Sequence, residues 1–373
     1  MAAVPDIARE PTSVRENPAT LLPMPAPWAL KQDRAVSPPV SLNGLTLAVV
    51  IPAYRVAAQI GGVLEGIPTF VSMIVVVDDA SPDDTAVIVE RSSDPRVHLI
   101  RRATNGGVGA AMLTGYRFAL EHGADIIVKL DGDGQMDSSQ IGRLVEPIIR
   151  GDADYVKGNR FVHTRQLAGM PVLRRVGNTG LSFLVKVASG YWPVFDPTNG
   201  FTAIHARALE ALVWEDVDPR WFFETSMLIE LGLVGAVTRD VYMPARYGAE
   251  TSSLSIRETL VSFPPRLIAR TLRRIWLRHF VQDFTPLALF LVAGALLTGF
   301  GALWGIVHWI QSAQTGTPAS TGTVMIAVLP LILGTQLLLQ SLVLDIQNTP
   351  KVPLIKELLR GSETITRPED VRH

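Results

Sequence analysis

Three short apolar runs, each followed at once by polar residues, set the strongest limit on how this chain can fold. Runs that are apolar throughout are typical of strands buried on both faces of a sheet. Strands that alternate with helical segments form parallel sheets. The sequence therefore predicts an α/β fold with a mostly parallel sheet. The runs are 47–51, 73–77 and 126–128, and the helical segments lie near 57–66, 83–92 and 107–122.

The third run is followed by Asp131-Gly-Asp133-Gly-Gln135. In open parallel sheets, ligands bind outside the carboxyl ends of the strands. Carboxylate and amide oxygens at alternate positions suit a hard divalent cation that also binds substrate phosphates, so we predict that Asp131, Asp133 and Gln135 hold Mg²⁺ or Mn²⁺. An ordinary polar turn is the alternative. A calcium EF-hand is excluded, because Met136 and Gly142 stand where its loop needs Gly and Glu.

Seven short motifs occur in order between Leu47 and Ser255. They are Val50–Tyr54, Val77–Thr85, Asn105–Ala111, Asp131–Gln135, Gly158–Phe161, Asp196–Phe201 and Arg246–Gly248. This series resembles the family 2 glycosyltransferases, and within them the polyprenyl-phosphate glycosyltransferases. The resemblance implies a glycosyltransferase A-type, Rossmann-like nucleotide-binding domain, a nucleoside diphosphate sugar as donor and polyprenyl phosphate as acceptor.

The resemblance also assigns residues to the donor. It places the end of the first strand against the nucleobase and ribose, and Asp78 or Asp79 against the base, although an Asp-Asp pair at a strand end is usually a helix-capping turn. Arg55-Val56 stands where many relatives carry Asn-Glu, which leaves the donor nucleotide open. The predicted donor-binding residues are Pro52, Ala53, Tyr54, Asp78, Asp79, Asn105, Gly106 and Asp131.

The segment from Asn105 to Gly109 superficially resembles a dinucleotide-binding fingerprint. It follows the third candidate strand instead of the first, and Met112 takes the place of the last glycine. The glycines still open a helix whose backbone N–H groups can face the donor phosphates.

Arginines are the expected ligands of the acceptor. A lipid phosphate is already ionised near neutral pH, so the site needs cations more than a general base. Arginine suits a phosphate through its planar fork of donors. Arg160 and Arg246 match motif positions of the family, and Arg174 and Arg175 lie on the intervening helical segment. For each of them, solvation at the surface is the alternative.

Asp133 and Asp196 are the predicted catalytic residues. Asp133 acts through the metal, and Asp196 aligns with a family aspartate near the reacting sugar. Whether Asp196 is a base, orients a hydroxyl or caps the turn before Pro197 stays open. Glu224, which follows Trp-Phe-Phe, has the same ambiguity.

The C-terminal part of the chain has the pattern of a membrane anchor. The segments 285–310 and 323–346 carry no charge before Asp345. Each is long enough to cross ~30 Å of hydrocarbon, with a buried helical hairpin as the alternative. Basic residues flank the pair on both sides, which predicts that both termini are cytoplasmic. They are Arg257, Arg266, Arg270, Arg273, Arg274 and Arg278 before the first segment, and Lys351, Lys356 and Arg360 after the second.

Residues 256–284 combine these arginines with apolar positions at helical spacing. We expect amphipathic juxtamembrane helices at an anionic membrane surface, divided in two by Pro264-Pro265. A helix packed on the catalytic domain is the alternative. A net charge of −1 argues against nucleic acid as a partner.

The predicted organisation is a disordered proline-rich tail at 1–43, a catalytic domain at 44–255, the juxtamembrane helices at 256–284, two transmembrane helices within 285–346 and a cytoplasmic tail at 347–373. The predicted function is metal-dependent, inverting transfer of one sugar from a nucleoside diphosphate to polyprenyl phosphate at the cytoplasmic face. An enzyme that attacks a sugar hydroxyl and a non-catalytic nucleotide-sugar-binding subunit are the alternatives. The sugar, the nucleotide and any homo-oligomer stay open.

Overall fold

The computed structural model describes residues 41–42, 44–159, 172–197, 199–243 and 256–356. The segment 1–40 and the segment 357–373 of the predicted tails lie outside the described residues, as do Arg160 and Arg246.

The described strands form one sheet with the order β4-β3-β2-β5-β7-β6-β8, and β1 pairs with β2. The pairs of β2 with β3, β2 with β5, β3 with β4 and β6 with β8 are parallel, whereas β7 runs antiparallel to both neighbours. The predicted α/β class with a mostly parallel sheet is confirmed. The strands are β1 (Ser41–Leu42), β2 (Leu45–Ala53), β3 (Met73–Asp78), β4 (Val97–Arg101), β5 (Ile126–Lys129), β6 (Tyr155–Asn159), β7 (Thr202–His205) and β8 (Thr238–Tyr242).

Helices cover both faces of the sheet. Because side chains alternate along a strand, Ala48 and Val50 join the apolar core with α3, α5 and α7, whereas Val49 and Ile51 join the core on the opposite face with α1, α2 and α4. All residues of β3 are buried, as expected for a strand covered on both faces. The first helices are α1 (Ile60–Glu65), α2 (Thr85–Glu90), α3 (Val108–Glu121), α4 (Ile141–Ile149), α5 (Val172–Ser189), α6 (Ala206–Glu210) and α7 (Phe223–Val234).

The strand order places the predicted polar motifs together. β2 lies between β3 and β5 and is parallel to both, so the carboxyl ends of these three strands lie side by side. From β2 the chain adds β3 and β4 on one side of the sheet and then β5 on the other, which makes this edge a topological switch point. Ala53 at the end of β2 pairs with Asp78 at the end of β3. Such a switch point is where α/β sheets bind their ligands.

The helix α8 (Ile256–Trp276) corrects one prediction, because it continues through Pro264-Pro265. Each proline removes a helical hydrogen bond, but contacts close to the pair hold the helix axis. The ring of Phe263 packs edge-on against Phe222 at 5.2 Å, and Leu267 is buried in the core of the domain. Tertiary packing therefore overrides the helix-breaking tendency of the two prolines.

The arginines of α8 also correct the expectation that they face an anionic membrane. Arg266 contacts Asp218 at 3.2 Å, and Arg270 contacts Glu230 at 3.1 Å. Arg273 pairs with the same Glu230 at 2.7 Å and with Asp216. These carboxylates belong to the α/β domain, so this face of α8 packs on that domain, as in the alternative considered from the sequence.

Two long apolar helices follow a π-helical turn at Leu277–Val281. They are α9 (Pro286–Thr315) and α10 (Thr321–Gln347), and both are long and apolar enough to cross a membrane. They pack against each other through glycines. A Cβ at Gly301 would lie 2.6 Å from the carbonyl oxygen of Ala327, and one at Gly334 would lie 2.4 Å from Oγ1 of Thr298. The two apolar segments predicted from the sequence are therefore one helical hairpin.

A buried ion pair joins this hairpin to α8. The guanidinium of Arg274, whose side chain is 2% exposed, donates to both oxygens of Asp345 at 2.8 and 3.1 Å. The indole of Trp192 donates to the same carboxylate at 3.1 Å. Beyond the hairpin, the backbone N–H of Leu354 donates to Asp154 at 3.0 Å. The C-terminal end of the hairpin is thus held against α8 and the α/β domain.

Candidate active site

A cavity of about 820 Å³ opens at the carboxyl ends of β2, β3 and β5. Most of the predicted donor-binding and metal-binding residues line it, whereas Asp78, Gly106 and Asp196 do not. Arg174 and Arg175 lie in the first turn of α5, and the structure does not describe their side chains. The predicted residues in the wall are Pro52, Ala53, Tyr54, Asp79, Asn105, Asp131, Asp133 and Gln135.

One end of the cavity is acidic and contains a buried lysine that the sequence analysis did not identify. Nζ of Lys129, at the end of β5, lies 2.5 Å from Oδ1 of Asp131 and 3.3 Å from Oε1 of Glu224. Burial opposes the charge of the ammonium, but the two carboxylates outweigh burial and hold the pKa of Lys129 above its ordinary value. Lys129 therefore stays charged and links the aspartate motif to α7.

The loop after β5 makes a tight turn that depends on a glycine. Gly134 has φ +76°, a left-handed conformation that favours glycine. Oδ1 of Asp133 accepts a hydrogen bond from the backbone N–H of Gln135 at 3.0 Å, which closes the turn. Asp131 and Asp133 both line the cavity from this turn.

The donor set of this loop fits a metal that is completed by its substrate. Among the described residues, no three His, Cys, Asp or Glu side chains come close enough to hold an ion alone. Asp131, Asp133 and the amide of Gln135 supply oxygen atoms along one wall. Mg²⁺ is bound in just this way, by one or two carboxylates together with water and substrate phosphates. The residues present therefore fit the predicted ion.

Asp79 organises the wall beside β3. Its side chain, which is 4% exposed, accepts hydrogen bonds from Nη1 of Arg102 at 2.5 Å and from the backbone N–H of Gly107 at 2.7 Å. The N–H of Gly106 donates to it as well. Asp79 thus fixes the glycine-rich loop at the start of α3. Asp78 instead accepts from the N–H of Ser81 at 3.3 Å, away from the cavity.

Tyr54 and Arg55 form the rim of the cavity next to this loop. The guanidinium of Arg55 lies over the ring of Tyr54, 5.3 Å from its centroid. Arg55 has φ +56°, which is uncommon for a residue with a side chain. Its backbone N–H donates to Oγ of Ser81 at 3.2 Å, which holds this conformation. Local backbone strain of this kind concentrates at functional sites.

The cavity wall also contains apolar side chains and a further cation that sequence reasoning missed. Arg220, Trp221, Leu181 of α5 and Phe263 of α8 all line the cavity. The backbone around Arg220 packs on Gly107, where a Cβ would lie 2.9 Å from the carbonyl oxygen of Pro219. No sequence motif marks Arg220, because its place at the cavity depends on this contact with a distant glycine.

Asp196 and Glu224, the two acidic residues whose roles the sequence left open, lie in different environments. Asp196 is fully buried and stands outside the cavity wall, whereas Glu224 lies in the wall. In the same region, Nζ of Lys157 donates to the carbonyl oxygen of Asn199 at 2.7 Å. Burial lowers the pKa of Lys157 to about 8, and the Glu224, Asp196 and Asp240 carboxylates limit the decrease. Of the two acidic residues that were considered as a base, Glu224 is the one at the cavity.

Comparisons with known proteins cover the region that builds this site. A family model described as Glycosyl transferase family 2 matches residues 48–213. UDP-N-acetylglucosamine–dolichyl-phosphate N-acetylglucosaminyltransferase from Methanococcus voltae is 34% identical over 179 residues, which are 44% of this chain and 71% of that protein. Undecaprenyl-phosphate mannosyltransferase from Micrococcus luteus is 29% identical over 198 residues, which are 51% of this chain and 79% of that protein.

Among solved structures, glucosyl-3-phosphoglycerate synthase from Mycobacterium tuberculosis is similar to this chain. The structure in complex with Mn²⁺, UDP and glucosyl-3-phosphoglycerate has a TM-score of 0.46 and a sequence identity of 22%. The match covers 62% of this chain and 80% of that chain.

Proposed function

This chain belongs to glycosyltransferase family 2, and we propose that it moves one sugar from a nucleoside diphosphate sugar to the phosphate of a polyprenyl phosphate lipid. Membership of the family confirms that the chain is a glycosyltransferase, and with the mostly parallel sheet it confirms the expected glycosyltransferase A-type fold. The acceptor is proposed because relatives that cover similar parts of the chain are named for dolichyl phosphate and undecaprenyl phosphate.

The make-up of the cavity wall is the observation that carries the proposal. Asp131 and Asp133 in this wall suit a metal and a diphosphate. The same wall contains the cation Arg220 and the apolar residues Trp221 and Phe263. A phosphate on an apolar chain needs both a cation and an apolar wall. Phe263 belongs to α8, the helix that leads to the hairpin, so the cavity wall and the proposed membrane anchor share one helix.

In the proposed donor complex, Asp131, Asp133 and Gln135 hold Mg²⁺ or Mn²⁺. The ion would neutralise the negative charge that develops on the departing nucleoside diphosphate. Tyr54 and Arg55 lie at the rim beside the end of β2, where the base and ribose are expected. Asp79 contributes by fixing the loop at the start of α3.

On the acceptor side, a lipid phosphate oxygen attacks the anomeric carbon as the bond from that carbon to the donor phosphate breaks. A single displacement of this kind inverts the anomeric configuration. The attacking oxygen is already an anion near neutral pH, so no side chain needs to remove a proton. Arg220 offsets the repulsion between the two phosphates. The sequence adds Arg160, Arg174, Arg175 and Arg246 as further candidates for this role.

We propose that α9 and α10 span the membrane with the catalytic domain at the cytoplasmic face. Arg278, before the hairpin, donates to the carbonyl oxygen of Asn348 after it at 3.1 Å, so both ends lie on the side of the catalytic domain. The basic residues of these flanks favour the cytoplasm. The short turn between the helices then reaches the other face.

The proposal is tested by assaying the purified full chain in detergent with polyprenyl phosphate and a panel of UDP and GDP sugars. Polyprenol without the phosphate is the matched control, because it keeps the lipid and removes only the proposed nucleophile. We expect glycosyl transfer to the phosphate and none to the alcohol. Equal transfer to both lipids, or transfer only to a sugar hydroxyl, would contradict the proposal.

A hydroxyl acceptor remains the second candidate, because Glu224 lies in the cavity wall. A hydroxyl needs a general base, and a carboxylate can supply it. In that case the variant Glu224→Gln would lose transfer in a way that depends on pH. With a phosphate acceptor, no such pH dependence is expected.

A further inference from the structure

Lys129 is the most deeply buried charge at the acidic end of the cavity. Its side chain is 1% exposed, and its ammonium contacts Asp131 at 2.5 Å and Glu224 at 3.3 Å. There is little free space around Nζ, since a Cβ added at Gly200 would lie only 2.6 Å from it. The ammonium is therefore held in one place, against the carboxylate that begins the aspartate motif.

A second lysine, Lys157, is buried in the same sheet without contacting a proposed metal ligand. Burial of a lysine in this sheet therefore does not require the contact that Lys129 makes with Asp131. Lys157, on β6, is 0% exposed, and its Nζ donates to the carbonyl oxygen of Asn199 at 2.7 Å. Lys157 is not part of the cavity wall, and its ammonium donates to a neutral backbone oxygen. Lys129 instead shares the oxygen atoms of a proposed metal ligand, so its charge acts on whatever else binds there.

We propose that Lys129 is a positioning residue that makes metal binding depend on the donor. In the free protein, a divalent cation that takes Asp131 as a ligand must share that carboxylate with a fixed positive charge, and the repulsion weakens binding. A donor diphosphate adds negative charge at the same place and offsets the repulsion. The metal then binds tightly only together with the donor. This inference rests on the proposed role of Asp131 as a metal ligand.

A purely structural role for Lys129 leads to the opposite expectation. If the ammonium only holds Asp131 and Glu224 in place, its removal disorders these carboxylates and weakens metal binding. If its charge opposes the metal, its removal leaves two carboxylates with an unbalanced negative charge and strengthens metal binding. The affinity of the free protein for a divalent cation therefore separates the two roles without any measurement of activity.

The experiment measures Mn²⁺ binding to the full chain in detergent, without nucleotide, from the electron paramagnetic resonance signal of unbound Mn²⁺. We expect Lys129→Met to bind Mn²⁺ more tightly than the wild type, by on the order of tenfold or more. Lys129→Arg keeps the charge and should keep the weak binding. Lys157→Met, the matched change at the other buried lysine, should alter the affinity far less. Asp131→Asn in the Lys129→Met background should abolish the gain.

A second measurement tests the dependence on the donor. The affinity for UDP and for GDP is compared with and without Mn²⁺, because the factor by which metal strengthens nucleotide binding equals the factor by which nucleotide strengthens metal binding. This factor should fall in Lys129→Met. Circular dichroism and thermal unfolding verify the fold, and Lys129→Gln replaces Lys129→Met should the methionine variant not fold.

An unchanged or weaker Mn²⁺ affinity in a folded Lys129→Met or Lys129→Gln variant would overturn the inference. The same holds if Lys157→Met gives an equal gain. These results are distinct from failure of the proposed function. A wild-type chain that transfers no sugar from any nucleotide sugar to polyprenyl phosphate refutes that function, whatever the Mn²⁺ affinities are.

Discussion

The catalytic domain and the C-terminal hairpin pack their apolar elements through different kinds of side chain. In the catalytic domain, β3 buries all of its residues between two layers of helices. In the hairpin, large apolar side chains point outward: Leu296 is 70% exposed, Leu303 66% and Trp309 75%. The helices instead meet through small residues such as Gly301, as helices do in a bilayer, where burying apolar surface within the protein brings little gain.

The two regions also differ in where they keep buried charge. The catalytic domain has buried ions at its cavity, where Lys129 meets Asp131 and Glu224. The hairpin has its buried pair, Asp345 with Arg274, at the junction with α8. The Lys129 cluster lies at the proposed site of chemistry and the Arg274–Asp345 pair at the attachment of the hairpin, so substitutions can test the two separately.

The largest effect on stability is expected at the junction. Asp345→Leu leaves the guanidinium of Arg274 buried without its partner, which costs about 3–5 kcal/mol. Replacing both residues, with Arg274→Met and Asp345→Leu, removes the unpaired charge and should restore most of the loss. Thermal unfolding of the full chain in detergent measures both variants. If the single variant is as stable as the wild type, the pair does not hold the hairpin to the domain.

The next largest effect is expected on the transfer rate, without a change in stability. Asp133→Asn should reduce the transfer rate by on the order of a hundredfold or more, because it removes a carboxylate from the proposed metal. EDTA should have a similar effect, and thermal unfolding should not change. Asp84→Asn is the control, since Asp84 lies at the same sheet edge outside the cavity wall. Normal turnover of Asp133→Asn, or of the wild type in EDTA, would refute the metal role.

Substitution of Arg220 tests the proposed acceptor site in the cavity. Arg220→Ala should raise KM for polyprenyl phosphate by roughly tenfold to a hundredfold, since a hydrogen bond to a charged group contributes about 1.5–3 kcal/mol. Affinity for the nucleotide should stay nearly constant. Lys at this position should restore part of the loss, because it keeps the charge without the planar fork. Arg207→Ala, on the surface helix α6, is the matched control. A wild-type KM in Arg220→Ala would remove Arg220 from the acceptor site.

The contact between the two hairpin helices should respond to a single methyl group. Gly301→Ala should destabilise the hairpin by about 1–3 kcal/mol, because the added Cβ would lie 2.6 Å from a backbone oxygen of α10. Gly299→Ala is the control in the same helix, with nothing within 4 Å of its Cβ. Unfolding midpoints in detergent compare the two. An equal effect at both positions would show that the helices do not pack as described.

The substitution with the smallest expected effect measures only the orientation of the hairpin in the membrane. Thr317→Cys, in a chain without cysteine, should change neither rate nor stability, because the side chain is exposed in the turn between α9 and α10. An impermeant thiol reagent should label it from outside intact cells. A cysteine at Val352, also exposed, should stay unlabelled. The reverse pattern would place the catalytic domain outside the cell.

The sheet could be predicted because its signal is local. The apolar runs that became β2, β3 and β5 each specify a buried strand, and the motifs after them met at the cavity. The roles of Lys129 and Arg220 could not be predicted, because each depends on contacts with residues far away in the chain. The prediction that Pro264-Pro265 divides the helix was wrong for the same reason, because the local sequence does not reveal the contact of Phe263 with Phe222.

The packing of α8 has a practical consequence for preparing a water-soluble fragment. A chain cut before Ile256 would lose Phe263 from the cavity wall and Leu267 from the core, although it would keep every strand that the structure describes. A chain that ends after Trp276 would keep both, but it would expose Arg274 without Asp345. The sensible boundary for a soluble enzyme therefore lies beyond α8, with Arg274 replaced by an uncharged residue.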